Sequence, residues 1–321
     1  MNLDKQIWPG YIPPENDELF SSWFIRLCNE HKIKSHSFSK IYFNNAPIWN
    51  RDVDLYCPEL IKEKIKAYTF LSNTQIESLF LDSYQDLLFN ENKDKLFTVN
   101  SLGILHRKRK LNGLRYCPGC IDGEKIYFRK NWRLSTSLVC NTCNLMLLDN
   151  CPTCKSPICF HRLETGYKSS LLEYPLNICW VCKNNLYIDP SKVPATDLLK
   201  QYQTYIDNTL INGYNDKTQY SFQYFYILIS LQKKIISKSS GWSRIKNASR
   251  IEYESILCQV DFNSKDLSLL RNSLLVSYLI LQKSPKNFKT FCSNYNLRYS
   301  DFTKDLHKVP FWFINFFRDS F

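Results

Sequence analysis

The sequence predicts a mainly α-helical protein, interrupted in the middle by a small irregular and β segment organised around cysteine. Apolar residues recur at helical spacing on both sides of the middle third. Between residues 117 and 182, eight cysteines fall as four Cys-x2-Cys pairs: Cys117/Cys120, Cys140/Cys143, Cys151/Cys154 and Cys179/Cys182. With 321 residues, 44% of them apolar and 15% aromatic, the chain can bury two or three cores and is globular rather than disordered. Composition divides it into residues 1–100, helical; 101–190, holding every cysteine pair; and 191–321, helical again and rich in aromatics.

In the first region Ile61, Ile65 and Tyr68 mark one helical stripe, and a break follows at Ser72-Asn73. Thr74 and Glu77 then have the form of a capping box, with Ile76, Leu79 and Phe80 as the apolar face of a second helix. Two short helices around a tight turn outline a helix-turn-helix-like domain; a helical hairpin in an ordinary core fits the same pattern. The third region predicts helices over Asp197–Leu210, Phe222–Ile236 and Lys265–Leu281. Pro285 can open a further helix with Phe288 and Phe291 inward; Asn294–Arg298 turns, and Ser300 would cap Asp301–His307. That is the outline of a second helix-turn-helix. Pro310 would start an aromatic terminal helix, Phe311–Phe317, expected to dock into the core.

Two thiolates two residues apart reach one tetrahedral ion, and two such pairs complete a closed structural zinc site. Nineteen residues separate Cys120 from Cys140 and twenty-four separate Cys154 from Cys179, spacings that suit two successive zinc ribbons. The expected ligands are Cys117, Cys120, Cys140 and Cys143 for one Zn2+ and Cys151, Cys154, Cys179 and Cys182 for a second; an interleaved, cross-braced pairing is the alternative. Four thiolates leave no open coordination position, so these ions should be structural. Cys159 and His161 form a Cys-x-His that no site needs. The remaining cysteines, Cys28, Cys57, Cys159, Cys258 and Cys292, read as buried apolar thiols.

The net charge of +12 favours polyanionic partners. Basic residues flank the cysteine region: Arg107, Lys108, Arg109, Lys110 and Arg115 before the first pair, then Arg129, Lys130 and Arg133. With Arg298 and Lys304 of the second helix-turn-helix candidate, these are the expected contacts to nucleic acid or a partner. An enzyme would need a carboxylate cluster for magnesium. The acid pairs Asp52/Asp54 and Asp82/Asp86 lack a His or Lys constellation, and Asp52 and Asp54 read as loop caps. No apolar run reaches the roughly 18 residues of a membrane helix; the longest are Leu274–Leu281 and Tyr224–Leu231. The start, MNLDKQIWPG, has no signal-peptide pattern, so the cytoplasm is expected, where clustered cysteines bind metal rather than oxidise.

The residues between the cysteines carry more than spacing. Tyr116 to Cys120, Tyr127-Phe128-Arg129, Trp132-Arg133-Leu134, Cys140 and Cys151 to Cys154 together resemble the core of the TniQ family, with Cys143 where that family usually has His. Pro14, Asp17-Glu18-Leu19, Ser22-Trp23-Phe24 and Arg26-Leu27 resemble its opening block, and Pro285, Phe288 and Pro310–Phe313 resemble its helical extension more loosely. The resemblance implies a non-enzymatic target-selection protein of bacterial transposition that recruits the AAA+ regulator TnsC. One branch of the family, TnsD-like, binds a chromosomal attachment site directly. The other rides, often as a homodimer, on an RNA-guided CRISPR effector such as Cascade with its guide RNA, close to target DNA. The length of 321 residues suits the second branch, and a nucleoid-associated role in a bacterial cytoplasm follows from it. Trp8 and the Phe311–Phe317 helix are expected to offer aromatic docking surface.

Overall fold

The most deeply placed element is the first helix, α1 (Phe20–Glu30), in which every residue from Phe20 to Ile25 is buried. A helix apolar all round must be surrounded. Here Phe20 packs on Phe80, and Phe24 lies against Phe38, Phe43 and Trp49. The computed structural model describes residues 6–91, 95, 97–164, 175–258, 261–262 and 266–320. Its four strands among these residues are two residues long each, so helices dominate. The chain forms two compact units, residues 1–85 with 99–196 and residues 86–98 with 197–321. The N-terminal helices and both cysteine clusters therefore share the first unit.

In that unit α2 (Ser35–Tyr42), α3 (Glu59–Tyr68) and α4 (Asn73–Ser78) follow α1. Helix α4 is capped by Ser72, which accepts the Gln75 amide at 3.2 Å while the Gln75 side chain accepts the Ser72 amide at 2.9 Å. The expected Thr74/Glu77 box is displaced by two residues because Glu77 instead pairs with Lys62 of α3 at 2.7 Å. Ile61, Ile65, Ile76, Leu79 and Phe80 are buried as their spacing requires. Trp8 is buried too, stacked on Tyr68 and edge-on to Phe38, because its indole is the largest apolar filler available there. It offers no docking surface, contrary to the expectation from sequence.

Two hairpins complete the first unit. Strands β1 (Ile104–Leu105) and β2 (Lys108–Arg109) pair antiparallel, as do β3 (Val139–Cys140) and β4 (Leu145–Met146).

The second unit contains α5 (Asp197–Asn212), α6 (Ser221–Ile236), α7 (Ser243–Glu252), α8 (Glu254–Leu257) and α9 (Leu267–Leu281). It ends with α10 (Pro285–Asn294), α11 (Tyr299–Thr303) and α12 (Phe311–Arg318). Helices α6 and α9 form its core. Ser284 caps α10 with Pro285 in the first turn, and Phe288 and Phe291 point inward as their spacing requires. Helix α11 does not start at Ser300 or run to His307. Arg298 precedes it, the Asp301 carboxylate accepts the Arg298 amide at 2.8 Å, and the helix ends at Thr303. An acceptor three residues on outcompetes the serine. Phe313 and Phe317 of α12 pack on Phe302, and Phe317 also on Phe288, while Phe311 stays 72% exposed. Cys258 is exposed at the end of α8 and Cys57 is half-buried; Cys28, Cys159 and Cys292 are the buried thiols.

Candidate metal centre

Four knuckles share one backbone device. The carbonyl of the first cysteine accepts the amide four residues on: Ile121 to Cys117 at 3.2 Å, Asn144 to Cys140 at 2.7 Å, Lys155 to Cys151 at 2.9 Å and Lys183 to Cys179 at 3.0 Å. After the second cysteine, Asn144, Lys155 and Lys183 take left-handed φ of 56°, 60° and 61°, which turns the chain back beneath the sulfurs. Backbone pairing closes each loop. The β3–β4 ladder flanks the Cys140/Cys143 knuckle, the Cys151 amide donates to Ser156 O at 2.9 Å, and the Cys179 amide donates to Asn184 O at 2.8 Å. At Gly119 an added Cβ would stand 3.2 Å from Cys143 Sγ and 3.1 Å from a Leu145 methyl, so a side chain there would push on the first knuckle.

These turns bring the eight sulfurs into two groups, Cys117, Cys120, Cys140 and Cys143, and Cys151, Cys154, Cys179 and Cys182. The pairing is thus sequential. Within each group all ligand atoms lie within 4.8 Å of one another. Cys120 is 3.6 Å from Cys140 and 3.5 Å from Cys143; Cys151–Cys182 and Cys154–Cys179 are both 3.6 Å. Disulfide sulfurs stand about 2.05 Å apart. A tetrahedron with metal–sulfur bonds of about 2.3 Å sets its sulfurs roughly 3.8 Å apart. The observed spacings match the tetrahedron, so each group can hold one metal ion. Hydrogen bonds from the Cys117 and Cys120 thiols hold the Cys140 thiol below its usual range, and the Ser156 hydroxyl holds Cys154 down to about 6. Cys159 and His161 join neither group. His161 stacks on Trp49 with ring centroids 4.6 Å apart, its Nε2 lies 2.9 Å from Arg107 O, and burial pushes its imidazole down to about 3.

Tyr116 ties the two groups together. It is fully buried beside Cys117, its amide and carbonyl pair with Leu148, and its hydroxyl lies 3.1 Å from both Asn150 O and Leu186 O. Those carbonyls flank the second cysteine group, so one phenol sets its position relative to the first.

The aromatic-basic block seats the N-terminal block directly. Leu19 N–H donates to Phe128 O at 2.9 Å, and Phe128 N–H donates to Ser22 Oγ at 2.9 Å. Ser22 Oγ donates to Glu18 Oε1 at 2.8 Å, and Arg26 donates to Glu18 Oε2 at 2.5 Å. Asp17 accepts from the amides of Lys130 and Asn131. No local sequence signal marks this interlock, since its partners lie more than a hundred residues apart.

Four of the expected contact residues are interior struts. Arg133 is 1% exposed and donates to Asp52 Oδ2 at 2.6 Å, Asp54 Oδ2 at 3.3 Å and Asn100 O at 2.9 Å. Arg115 donates to the carbonyls of Leu134, Ser135 and Ser137. Lys130 donates to Ser78 O at 2.6 Å and Ser83 Oγ at 2.8 Å, and Arg109 to Trp49 O at 3.3 Å. A buried cation must be paired or hydrogen-bonded; each of these donates to interior acceptors, so none is free to reach a ligand. Asp52 and Asp54 are consequently not loop caps. Asp54 also accepts the Ser21 amide at 2.7 Å, capping α1 from a distant segment where Leu19 offers no side-chain cap. Burial and the Asp52 charge push Asp54 up to about 6, against the pull of Arg133. Arg129 is half-buried between Tyr127 and Trp132; Arg107, Lys108 and Lys110 are exposed. In the second unit Arg298 is exposed, and Lys304 lies 4.0 Å from the Trp242 ring centroid.

The model of the TniQ family matches residues 9–147. Over that span, less than half of the chain, the sequence is similar to the TniQ family. The matched span contains both interlocked blocks and the first cysteine group, while the second group lies beyond it. No curated protein matches the chain. The similarity suggests a role in transposition target selection. No helix among the described residues is long and apolar enough to cross a membrane.

Proposed function

We propose that this protein is a target-selection adaptor. It links a target-DNA-bound, RNA-guided CRISPR effector of the Cascade type to the AAA+ regulator TnsC, and so directs transposon insertion. The observation that carries the reading is the matched core itself: two motif blocks locked together through Ser22, Glu18 and Phe128 beside a four-cysteine group. Such a core is a rigid frame for protein partners. Both metal sites hold Zn2+, because four thiolates in a closed tetrahedron select zinc among the common cellular divalent ions. The protein works in the bacterial cytoplasm, as a homodimer on the effector.

The adaptor is favoured over a TnsD-like selector of an attachment site by the helix-turn-helix candidates. Helix α4 has six residues and α11 five, and both turn apolar side chains into a core. A recognition helix must instead lie in the major groove with several side chains on base edges. The test is purification of the tagged protein with TnsC and with the effector, alongside DNA shifts by the isolated protein. Retention of both partners, with only weak and salt-sensitive DNA binding, supports the adaptor. A tight shift confined to one DNA sequence at physiological salt overturns it in favour of direct selection.

A further inference from the structure

The basic run before the first knuckle is a hairpin. Ile104 pairs with Arg109 and Leu105 with Lys108, leaving His106 and Arg107 as a two-residue turn. Both have positive φ, 47° and 62°. That turn matches the twist of paired strands, yet it normally selects Asn-Gly, because a side chain at positive φ is strained. His-Arg occupies it here because three contacts hold it. Arg107 Nε donates to Asn50 Oδ1 at 2.8 Å, Arg107 O lies 2.9 Å from the ring of buried His161, and Arg109 reaches inward to Trp49 O. The pairing continues beyond the strands, with Lys110 N–H donating to Gly103 O at 3.1 Å and Leu111 N–H to Leu102 O at 3.2 Å. A rigid base thus carries a cationic tip.

Arg109 alone of the run turns inward; His106, Arg107, Lys108 and Lys110 are exposed. His36 feels the Arg107 charge, which together with burial holds its imidazole below the usual range. Among the described residues, Arg107, Lys108 and Lys110 thus share one projection with no ion pair to an acid.

We infer that the Ile104–Arg109 hairpin is a nucleic-acid backbone clamp, with Lys108 and Lys110 on phosphates and Arg107 at the tip, independent of base sequence. Lys108 and Lys110, two residues apart across the inward Arg109, project on the same side about 7 Å apart, so both ammonium groups can meet phosphates of one backbone. Arg109 and His161 are positioning residues. The inference names the surface through which the proposed adaptor would lie along target DNA, and it rests on that reading only for its biological setting. It can hold whether or not the adaptor partners are confirmed.

The test is fluorescence anisotropy of a labelled duplex of arbitrary sequence with the full-length protein over a range of salt. Replacing Lys108 and Lys110 together by Ala should weaken binding roughly tenfold or more at low salt and reduce the salt slope by about two. Lys108→Glu with Lys110→Glu should abolish binding. Both variants should keep the metal content and thermal unfolding of the parent, since neither side chain is buried. Arg298→Ala with Lys304→Ala, in the other unit, should leave the slope unchanged. Failure of the parent to bind the duplex, an unchanged slope in the Lys108/Lys110 variants, or an equal loss in the Arg298/Lys304 control would each overturn the assignment. So would poly-glutamate competing as well as DNA at equal charge, which would make the occupant an acidic protein.

Discussion

Replacing Arg133 by Met removes the cation shared by buried Asp54 and half-buried Asp52 while nearly preserving volume. Arg133 is 1% exposed and Asp54 2%, so the variant strands a charge where water cannot solvate it. Losing one partner of such a cluster costs about 3–5 kcal/mol, a large part of the 5–15 kcal/mol by which a typical domain is stable. The loss should depend on pH. Asp54 already titrates at about 6 in the fold, raised from the model-compound 3.8. The folded protein therefore binds this proton more readily than the unfolded chain. In the parent the group adds stability below about pH 4, and that contribution, about 3 kcal/mol at the full shift, is lost as pH rises through about 6. Without Arg133 the carboxyl of Asp54 moves higher still, so it is neutral in the folded variant at pH 6 and charged only well above. Urea denaturation of parent and Arg133→Met, followed by tryptophan fluorescence at pH 7.5 and pH 6.0, should show a deficit that shrinks by at least about 1 kcal/mol at the lower pH. Effects of acid on the metal sites are common to both proteins and cancel. A deficit below about 1 kcal/mol, or one equal at both pH values, would refute the shared-charge account.

Metal analysis should return two zinc ions per chain; Cys117→Ser and Cys151→Ser should each lose one, and a chelator should unfold the first unit, because binding energy there is folding energy. Tyr116→Phe removes the hydroxyl shared by Asn150 O and Leu186 O and should cost about 1 kcal/mol in urea denaturation while both ions stay bound. Trp8→Ala should cost about 3–5 kcal/mol by the same assay, as expected of a core residue; a surface aromatic would cost almost nothing.

Much of this was readable from spacing. Cysteine pairs two residues apart specify their own turn, so both four-cysteine groups could be anticipated from spacing. The long helices of the second unit follow from apolar periodicity, and Pro285 after Ser284 marks the start of α10. What spacing could not supply was direction. Arg115, Lys130 and Arg133 look like the neighbouring Arg107 and Lys108 in composition, yet they turn inward because acceptors arrive from far along the chain: Arg133 meets Asp52 across 81 residues. Local competition hid other features. Ser72-x-x-Gln75 and Thr74-x-x-Glu77 overlap as capping boxes, and only the Lys62–Glu77 pair decides between them. The β1–β2 hairpin escaped because His-Arg is not a sequence in which one looks for a tight turn.

The seat of Ser22 on Phe128 spans 106 residues. At roughly 5–20 residues per second of synthesis, α1 leaves the ribosome roughly 5–20 s before the block that covers it. For that interval Leu19 and Ser22 lack the backbone partners that Phe128 supplies. With metal bound as proposed, the knuckles of that block would draw their folding energy from the ion. Zinc supply would therefore govern how long the oldest helix of the chain waits uncovered, and a cell short of zinc should lose this protein to aggregation or proteolysis during synthesis, well before mature copies give up their ions.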